Sequence, residues 1–149
     1  MVDNFGNPSS IYKIGRMNKI AVEEARKSIA KTIGACPDDI FFTSGGTESD
    51  NWVLESAAES AMESDSAHII VSAIEHPAVI NKCIQLKKRG CDVDYIKTDK
   101  NGIINTDDLI SKIRDDTKLI SVMLVNNEIG TIQPVSYTHL RAHETGAYL

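Results

Sequence analysis

Apolar and polar positions alternate along this chain with two different periods. Up to residue 33 the apolar residues recur at helical spacing, which predicts a helix over about residues 18–33 that Gly34 ends. Short β-prone runs and further helical segments then follow one another. The pattern predicts strands at residues 40–43, 68–72, 93–96 and 118–125, and helices at residues 47–60, from Pro77 onward and at residues 106–113.

This alternation indicates an α/β architecture. Strands that are joined by helices run parallel, and the nearly continuous apolar run at residues 118–125 is typical of a strand buried on both faces. We therefore predict a mainly parallel sheet flanked by helices, with right-handed crossovers. The length of 149 residues fits one domain or part of a larger one.

Three polar stretches follow predicted strands and are the candidate ligand-binding segments. They lie at residues 44–48, 75–77 and 126–128. Ligands of open parallel sheets bind outside the carboxyl ends of the strands, where the loops meet the N-termini of helices. We therefore expect the three stretches to converge on one crevice.

The first stretch, within TSGGTESDN at residues 43–51, predicts an anion-binding loop. Gly45 and Gly46 allow positive φ and close backbone approach, and Thr47 starts a helix whose first N–H groups have no partner in the helix. Those donors, the helix dipole and the hydroxyl of Ser44 or Thr47 suit a phosphate. The stretch matches neither the P-loop nor the dinucleotide fingerprint. A glycine turn with Thr47 as N-cap is the competing interpretation.

His76 and Asn127 are the other two candidate site residues. His76 precedes Pro77 and is expected at a strand-to-helix corner, where its ring can stack on a planar ligand or move protons. A capping or surface histidine is the alternative. Asn127 offers an amide donor and acceptor, although Asn-Asn is also common turn chemistry. Glu128 is either a further ligand group or a solvated loop carboxylate.

The composition narrows the classes of function. A net charge of -5 argues against a nucleic-acid partner. The N-terminus lacks a secretory pattern, which predicts a cytoplasmic protein, and no apolar run is long enough to span a membrane. The three cysteines include no Cys-x-x-Cys pair, so we expect reduced thiols, with Cys83 as a small core residue.

Five sequence motifs together resemble the cysteine desulfurases, the pyridoxal-phosphate enzymes of aminotransferase class V related to the NifS and IscS proteins. In chain order the motifs are NFGNPSS, FTSGGTESDN, SAIEHPAV, DKNGII and VNNEIGTIQP. The resemblance implies a partial PLP-transferase fold type I large domain over residues 1–134. It also implies that Gly46 and Thr47 hold the cofactor phosphate. His76 would stack on the pyridine ring and assist proton transfer, and Asn127 would reach the cofactor and the substrate.

The resemblance also implies a reaction and its partners. The family moves sulfur from L-cysteine to an enzyme cysteine as a persulfide, releases L-alanine, and serves iron–sulfur cluster assembly through sulfur-acceptor and scaffold proteins. The cofactor is pyridoxal 5'-phosphate, which acts as an electron sink. A homodimer is expected for the full-length protein. Another class V enzyme such as a selenocysteine lyase is one alternative, and a non-catalytic phosphate-binding module is another.

The chain also departs from the family pattern. Tyr12 stands where many relatives carry a histidine. The opening Asp-x-x-Ala-Thr-Thr element, the Schiff-base lysine and the mobile-loop cysteine have no counterpart, so we expect an N-terminal fragment that is itself inactive. The resemblance fades after residue 134, which predicts a non-native tail at residues 135–149. His139 and His143 in that tail match no zinc motif, and no metal site is expected.

Overall fold

The computed structural model describes residues 5–62 and 68–134, and the side chains of all of these except residues 60–62. The chain forms two compact units, Met1–Ser44 and Gly45–Leu149. The predicted tail at residues 135–149, with His139 and His143, lies outside the described residues. No helix in the described part of the chain combines the length and the apolar character that a bilayer crossing demands.

The first unit is built around helix α1, Lys13–Ile33. The helix starts before the predicted residue 18, because the turn at residues 7–10 leads directly into it; in that turn the Ser10 amide donates to the Asn7 carbonyl at 3.0 Å. The apolar side chains of the first helical turns are exposed, so a search for a buried face misses them. Gly34 ends the helix as predicted, with φ +72°.

The predicted strand at residues 40–43 is wrong. Pro37–Asp39 forms a 3-10 helix, and the backbone then continues outside the sheet. The Ile40 carbonyl accepts a hydrogen bond from the Arg26 guanidinium, which also lies 5.1 Å from the centre of the Phe42 ring. A helix side chain therefore satisfies a carbonyl that a strand would pair with its neighbour.

The second unit alternates helices and strands and contains the sheet. Its elements in chain order are α2 (Gly46–Met62), β1 (His68–Ser72), α3 (Pro77–Lys88), β2 (Asp92–Ile96), α4 (Thr106–Lys112) and β3 (Thr117–Ser121). The strands are parallel in the spatial order β2-β1-β3, so β1 is paired on both sides. The predicted α/β class, with a parallel sheet flanked by helices, is confirmed.

Strand β1 forms the centre of the core, and all five of its residues are buried. Ile69 and Val71 belong to a cluster that includes buried side chains of α2 and α3. Ile70 belongs to a second cluster with Ile96, Ile104 and Leu109, because successive side chains of a strand point to opposite faces. Burial on both faces is typical of the central strand of a parallel sheet.

Strand β3 is shorter than predicted. It ends at Ser121, whereas the apolar run continues to Val125. Leu119 is its one buried residue, since β3 lies at the edge of the described sheet and is not covered on both faces. Beyond Ser121 the chain leaves the sheet, and Val125 forms an antiparallel bridge with Ile132 instead.

An ion cluster joins α2 to α3. Glu55 of α2 accepts hydrogen bonds from Lys82 of α3 and from Arg89 at the end of that helix. The hydrogen bond from Lys82, followed by that from Arg89, lowers the pKa of Glu55 below its usual value. The cluster borders the apolar contacts of Leu54 and Ala58 and reinforces the packing of the two helices.

Candidate functional site

The first candidate segment lies at the N-terminus of α2. The helix begins at Gly46, so Thr47 lies inside its first turn and the interpretation of Thr47 as N-cap is wrong. The Gly45 carbonyl accepts from the amides of Glu48 at 3.1 Å and Ser49 at 3.2 Å. Gly46 and Thr47 therefore carry the first two N–H groups of the helix, which precede its own hydrogen-bonded turns.

The two glycines of this segment leave open space beside the helix. Neither Gly45 nor Gly46 has positive φ, so the left-handed conformation that glycine allows is not used here. A Cβ atom built on either residue would meet nothing within 4 Å, and both residues are exposed. Because the two glycines have no side chains, a ligand can approach the backbone closely at the N-terminus of the helix.

His76 caps helix α3. It is exposed, has extended backbone geometry, and its Nδ1 accepts a hydrogen bond from the Ala78 amide at 3.1 Å, while Pro77 occupies the first helical turn. Because Nδ1 is an acceptor, the proton of the neutral ring resides on Nε2. The capping role weighed from the sequence is thus observed, and it fixes the ring with Nε2 as a donor.

Asn127 is exposed on a turn that its neighbour Asn126 organises. The Asn126 Oδ1 atom accepts from the Glu128 amide at 2.9 Å and from the Ile129 amide at 3.1 Å. The Asn126 carbonyl accepts from the Gly130 amide at 2.9 Å. Turn chemistry and an exposed amide therefore coexist here: Asn126 is buried and structural, and Asn127 stays available to a ligand.

Two side chains connect the segments that carry His76 and Asn127. The Glu75 Oε1 atom accepts from the Ser72 hydroxyl at 2.6 Å and from the Met123 amide at 2.5 Å. The Asn126 Nδ2 atom donates to the Ile74 carbonyl at 3.0 Å. These contacts bring residues 74–76 and 123–127 together at the carboxyl edge of the sheet, as the sequence predicted for these two stretches.

Helix α2 brings the glycine segment to the same unit. It packs against α3, β1 and β3, and Leu54 and Ala58 contribute to the larger core cluster. Only residues 63–67 connect α2 to β1, which favours a helix running back along the strands, with its N-terminus at their carboxyl edge.

A second turn supports the segment that carries Asn127. Gln133 is buried; its Nε2 atom donates to the Gly102 carbonyl at 2.7 Å and its Oε1 atom accepts from the Ile104 amide at 2.9 Å. The Thr131 hydroxyl donates to the Asn101 carbonyl at 3.1 Å. Gly102 in this turn has φ +76°, a conformation that favours glycine.

Sequence reasoning singled out neither Glu75, Asn126 nor Gln133 as site residues. All three are polar side chains directly beyond or beside the sheet, with the burial that hydrogen-bonded groups tolerate. The available signal is local: Glu75 and Asn126 each precede a candidate ligand residue. That position suits a residue that holds its neighbour in place.

Two of the three cysteines have buried thiols. Cys83 is fully buried in the larger core cluster, as expected from its helical position. Burial, followed by the nearby Cys91 and Glu75, raises the pKa of the Cys83 thiol to about 11. Burial also raises the pKa of Cys91, whereas Cys36 is exposed in the first unit. Within residues 5–62 and 68–134 no group of three metal-ligating side chains occurs.

Comparison with known proteins gives one consistent result. Residues 2–149 match the family described as Aminotransferase class-V. Cysteine desulfurase IscS of Methanosarcina thermophila is 50% identical over 148 residues, which is 99% of this chain and 36% of that protein. A solved structure described as a NifS-like protein superposes with a TM-score of 0.88 at 38% identity, covering 99% of this chain and 41% of the other.

A further solved structure, SspA in complex with cysteine, is also similar. Its TM-score is 0.84 at 36% identity, and the match covers 98% of this chain and 42% of that one. The chain thus spans about a third of the length of the curated relatives that it matches.

Proposed function

The chain belongs to the aminotransferase class-V family, and from this premise we propose that it forms part of a pyridoxal-phosphate-dependent cysteine desulfurase. The observation that carries the proposal is the 50% identity to a cysteine desulfurase over 99% of the chain. In this proposal the protein is a cytoplasmic sulfurtransferase that supplies sulfur to iron–sulfur cluster assembly. Residues 1–134 are then part of its cofactor-binding large domain, and residues 135–149 are a non-native tail.

The glycine segment has the properties that a phosphate ester needs. The Gly46 and Thr47 amides stand at a helix N-terminus, and the space beside Gly45 and Gly46 is open. Backbone N–H groups and the positive end of the helix dipole favour a doubly charged anion there. We assign Gly46 and Thr47 to the cofactor phosphate, with the Thr47 hydroxyl as an additional donor.

His76 and Asn127 suit the planar part of the cofactor. When bound, the pyridoxal ring supplies the electron sink for bond cleavage at the substrate, and the protein supplies position and proton transfer. His76 presents an exposed ring whose orientation the Ala78 amide fixes. Its Nε2 atom holds or moves a proton next to the ring system. Asn127 donates or accepts a hydrogen bond beside it through its exposed amide.

The proposed substrate is L-cysteine, and the proposed products are L-alanine and a protein-bound persulfide. The similar SspA structure is described as a complex with cysteine, which supports this substrate class. The buried thiols of Cys83 and Cys91 do not suit a persulfide carrier. Cys36 is exposed, but it does not match the mobile-loop cysteine to which the family resemblance assigns the persulfide. In this proposal the sulfur passes to that cysteine of the intact protein and then to sulfur-acceptor and scaffold proteins. A homodimer completes the proposed assembly.

Equilibrium dialysis of the intact protein against pyridoxal phosphate tests the cofactor assignment. We expect saturable binding that His76→Ala and Asn127→Ala each weaken by about tenfold, because one lost contact of about 1.4 kcal/mol corresponds to that factor. Asn81→Ala is the matched control, since Asn81 is an exposed residue within α3. Equal affinities for all four proteins would reject the assigned roles.

Product analysis tests the activity itself. Incubation of the intact protein with L-cysteine, pyridoxal phosphate and an excess of a dithiol should yield sulfide and alanine in equal amounts, because the dithiol reduces the persulfide and releases its outer sulfur as sulfide. Preference for selenocysteine would identify a selenocysteine lyase instead. Binding of phosphate or pyridoxal phosphate with no product from either amino acid would identify a non-catalytic binding module.

A further inference from the structure

We propose that Glu75 and Asn126 are positioning residues that hold His76 and Asn127 in a fixed position relative to each other. We call their two cross-segment hydrogen bonds the edge clasp: Met123 amide to Glu75, and Asn126 side chain to Ile74 carbonyl. The inference rests on the proposed function for its meaning in cofactor binding. Its geometry is independent of that function.

The edge clasp begins where the sheet ladder ends. The last paired residues of β1 and β3 are Val71 and Ser121. Beyond that pair, within the described residues, side chains make the cross-links between residues 73–76 and 122–127. The two loops thus depend on these side chains for their relative position, because the backbones no longer bond to each other.

Glu75 provides the first half of the clasp. A single oxygen, Oε1, receives both the Ser72 hydroxyl at 2.6 Å and the Met123 amide at 2.5 Å. Ser72 is fully buried at the end of β1. A half-buried carboxylate with two donors is held firmly, since hydrogen bonds to a charged acceptor are the stronger kind. His76 follows Glu75 directly, so its backbone is anchored to the segment that follows β3.

Asn126 provides the second half. Its Oδ1 atom closes the turn that exposes Asn127, and its Nδ2 atom donates across to the Ile74 carbonyl. The same Nδ2 group lies 3.3 Å from the Met123 sulfur. Since Asn126 is buried, the loss of the donor leaves a carbonyl without its partner. One amide therefore sets both the shape of the turn and its distance from the His76 segment.

Asn126→Asp separates these two tasks. Aspartate keeps the oxygen that accepts from the Glu128 and Ile129 amides, but it places a second oxygen against the Ile74 carbonyl, where the donor stood. Asn105→Asp is the matched control, because the Asn105 Oδ1 atom accepts from two amides in the same way at the start of α4. Both variants change a side-chain amide to a carboxylate. Of the two, Asn126→Asp is the one that also removes a hydrogen bond between the two loops.

Hydrogen exchange of the intact protein, resolved by peptide, reports the clasp without reference to activity. In Asn126→Asp we expect faster exchange confined to peptides that cover residues 74–78 and 122–129, and about tenfold weaker pyridoxal phosphate binding. In Asn105→Asp both should stay at wild-type values. Faster exchange across all peptides would indicate a general loss of stability and would overturn the positioning role, as would an unchanged pattern.

Glu75 supplies a second, independent variant pair. Glu75→Gln keeps an oxygen acceptor for both donors and should retain most of the exchange protection and affinity, whereas Glu75→Ala should lose both. Identical behaviour of the two variants would overturn the proposal. If the wild type fails to bind pyridoxal phosphate, the proposed function falls, while the local exchange contrast still decides whether the clasp holds the two loops together.

Discussion

Truncation of Ile70 tests how far the parallel sheet depends on its central strand. Ile70 is completely buried and packs against Ile96, Ile104 and Leu109 on the face of β1 opposite to Ile69 and Val71. The Ile70→Ala change removes three carbon atoms from this smaller cluster. The cluster has few members that can shift inward, so we expect a cavity to remain.

The magnitude follows from burial and from the pairing of the strand. At about 0.8 kcal/mol per buried methylene, the transfer contribution is about 2.4 kcal/mol. A cavity contribution raises the total to about 3–4 kcal/mol, within the range of about 2–5 kcal/mol typical of such changes. Relaxation is limited because the strand is fixed on both sides, Ile70 being in register with Asp94 of β2 and Ile120 of β3.

Urea unfolding followed by circular dichroism measures the change. We expect the midpoint of Ile70→Ala to fall while the slope stays constant, and Ile70→Val to lose only about 1 kcal/mol. Ile84→Ala is the matched control: Ile84 is 43% exposed on α3, and alanine favours helix, so a change within about 0.5 kcal/mol is expected. A loss below about 1 kcal/mol for Ile70→Ala, or one equal to that of the control, would refute the central role of this cluster.

Three further predictions follow from charge, backbone conformation and thiol burial. Because its two cationic partners lower the pKa of Glu55, its stabilising effect is present above the unfolded pKa of about 4.3 and is lost as the pH falls through the folded value. The free energies of unfolding of wild type and Glu55→Gln should therefore differ by about 1 kcal/mol at pH 7, and the difference should shrink as the pH falls below about 4.3; a constant difference would contradict this. Gly102→Ala and Gly90→Ala should each lower the free energy of unfolding by about 1–2 kcal/mol, because both glycines have positive φ. Of the two, only Gly102 lies where a new Cβ would meet another side chain, so only Gly102→Ala should speed hydrogen exchange in residues 126–133. Equal exchange in both variants would be inconsistent with that contact. Ellman's reagent at pH 8 should label Cys36 in the folded protein and Cys83 only after unfolding, because burial raises the pKa of Cys83 to about 11; comparable rates would show that the core is open.

The order of helices and strands could be predicted from the sequence because, in these elements, the spacing of the apolar residues agrees with the side chains that the fold buries. β1 is a short β-prone run in the middle of the sheet, and α3 has a proline at its start and apolar residues on one face. The strand predicted at residues 40–43 has the same β-prone composition. The Ile40 carbonyl instead accepts from an arginine 14 residues earlier, and a pattern confined to neighbouring residues carries no information about that distant contact.

The candidate site also contains residues that could be predicted from the sequence and residues that could not. Gly46, Thr47, His76 and Asn127 are all exposed, and the places of His76 and Asn127 beyond strands were predictable, whereas no strand precedes Gly46 and Thr47. The clasp residues were not, because the partners of Glu75 and Asn126 lie about fifty residues away in the sequence. Sequence patterns mark where a loop begins, whereas the side chain that ties two loops together is defined only by the folded chain.

Gln133 makes two loops of the second unit depend on each other. Its side-chain amide bonds to the Gly102 carbonyl and the Ile104 amide, and the Thr131 hydroxyl bonds to the Asn101 carbonyl. The connection between β2 and α4 and the loop that carries Asn127 are therefore joined by side chains. Insertions at this connection, which surface turns ordinarily tolerate, will be transmitted to the ligand-facing loop. Anyone who grafts or lengthens that connection must therefore carry the glutamine and its two backbone partners along as one block.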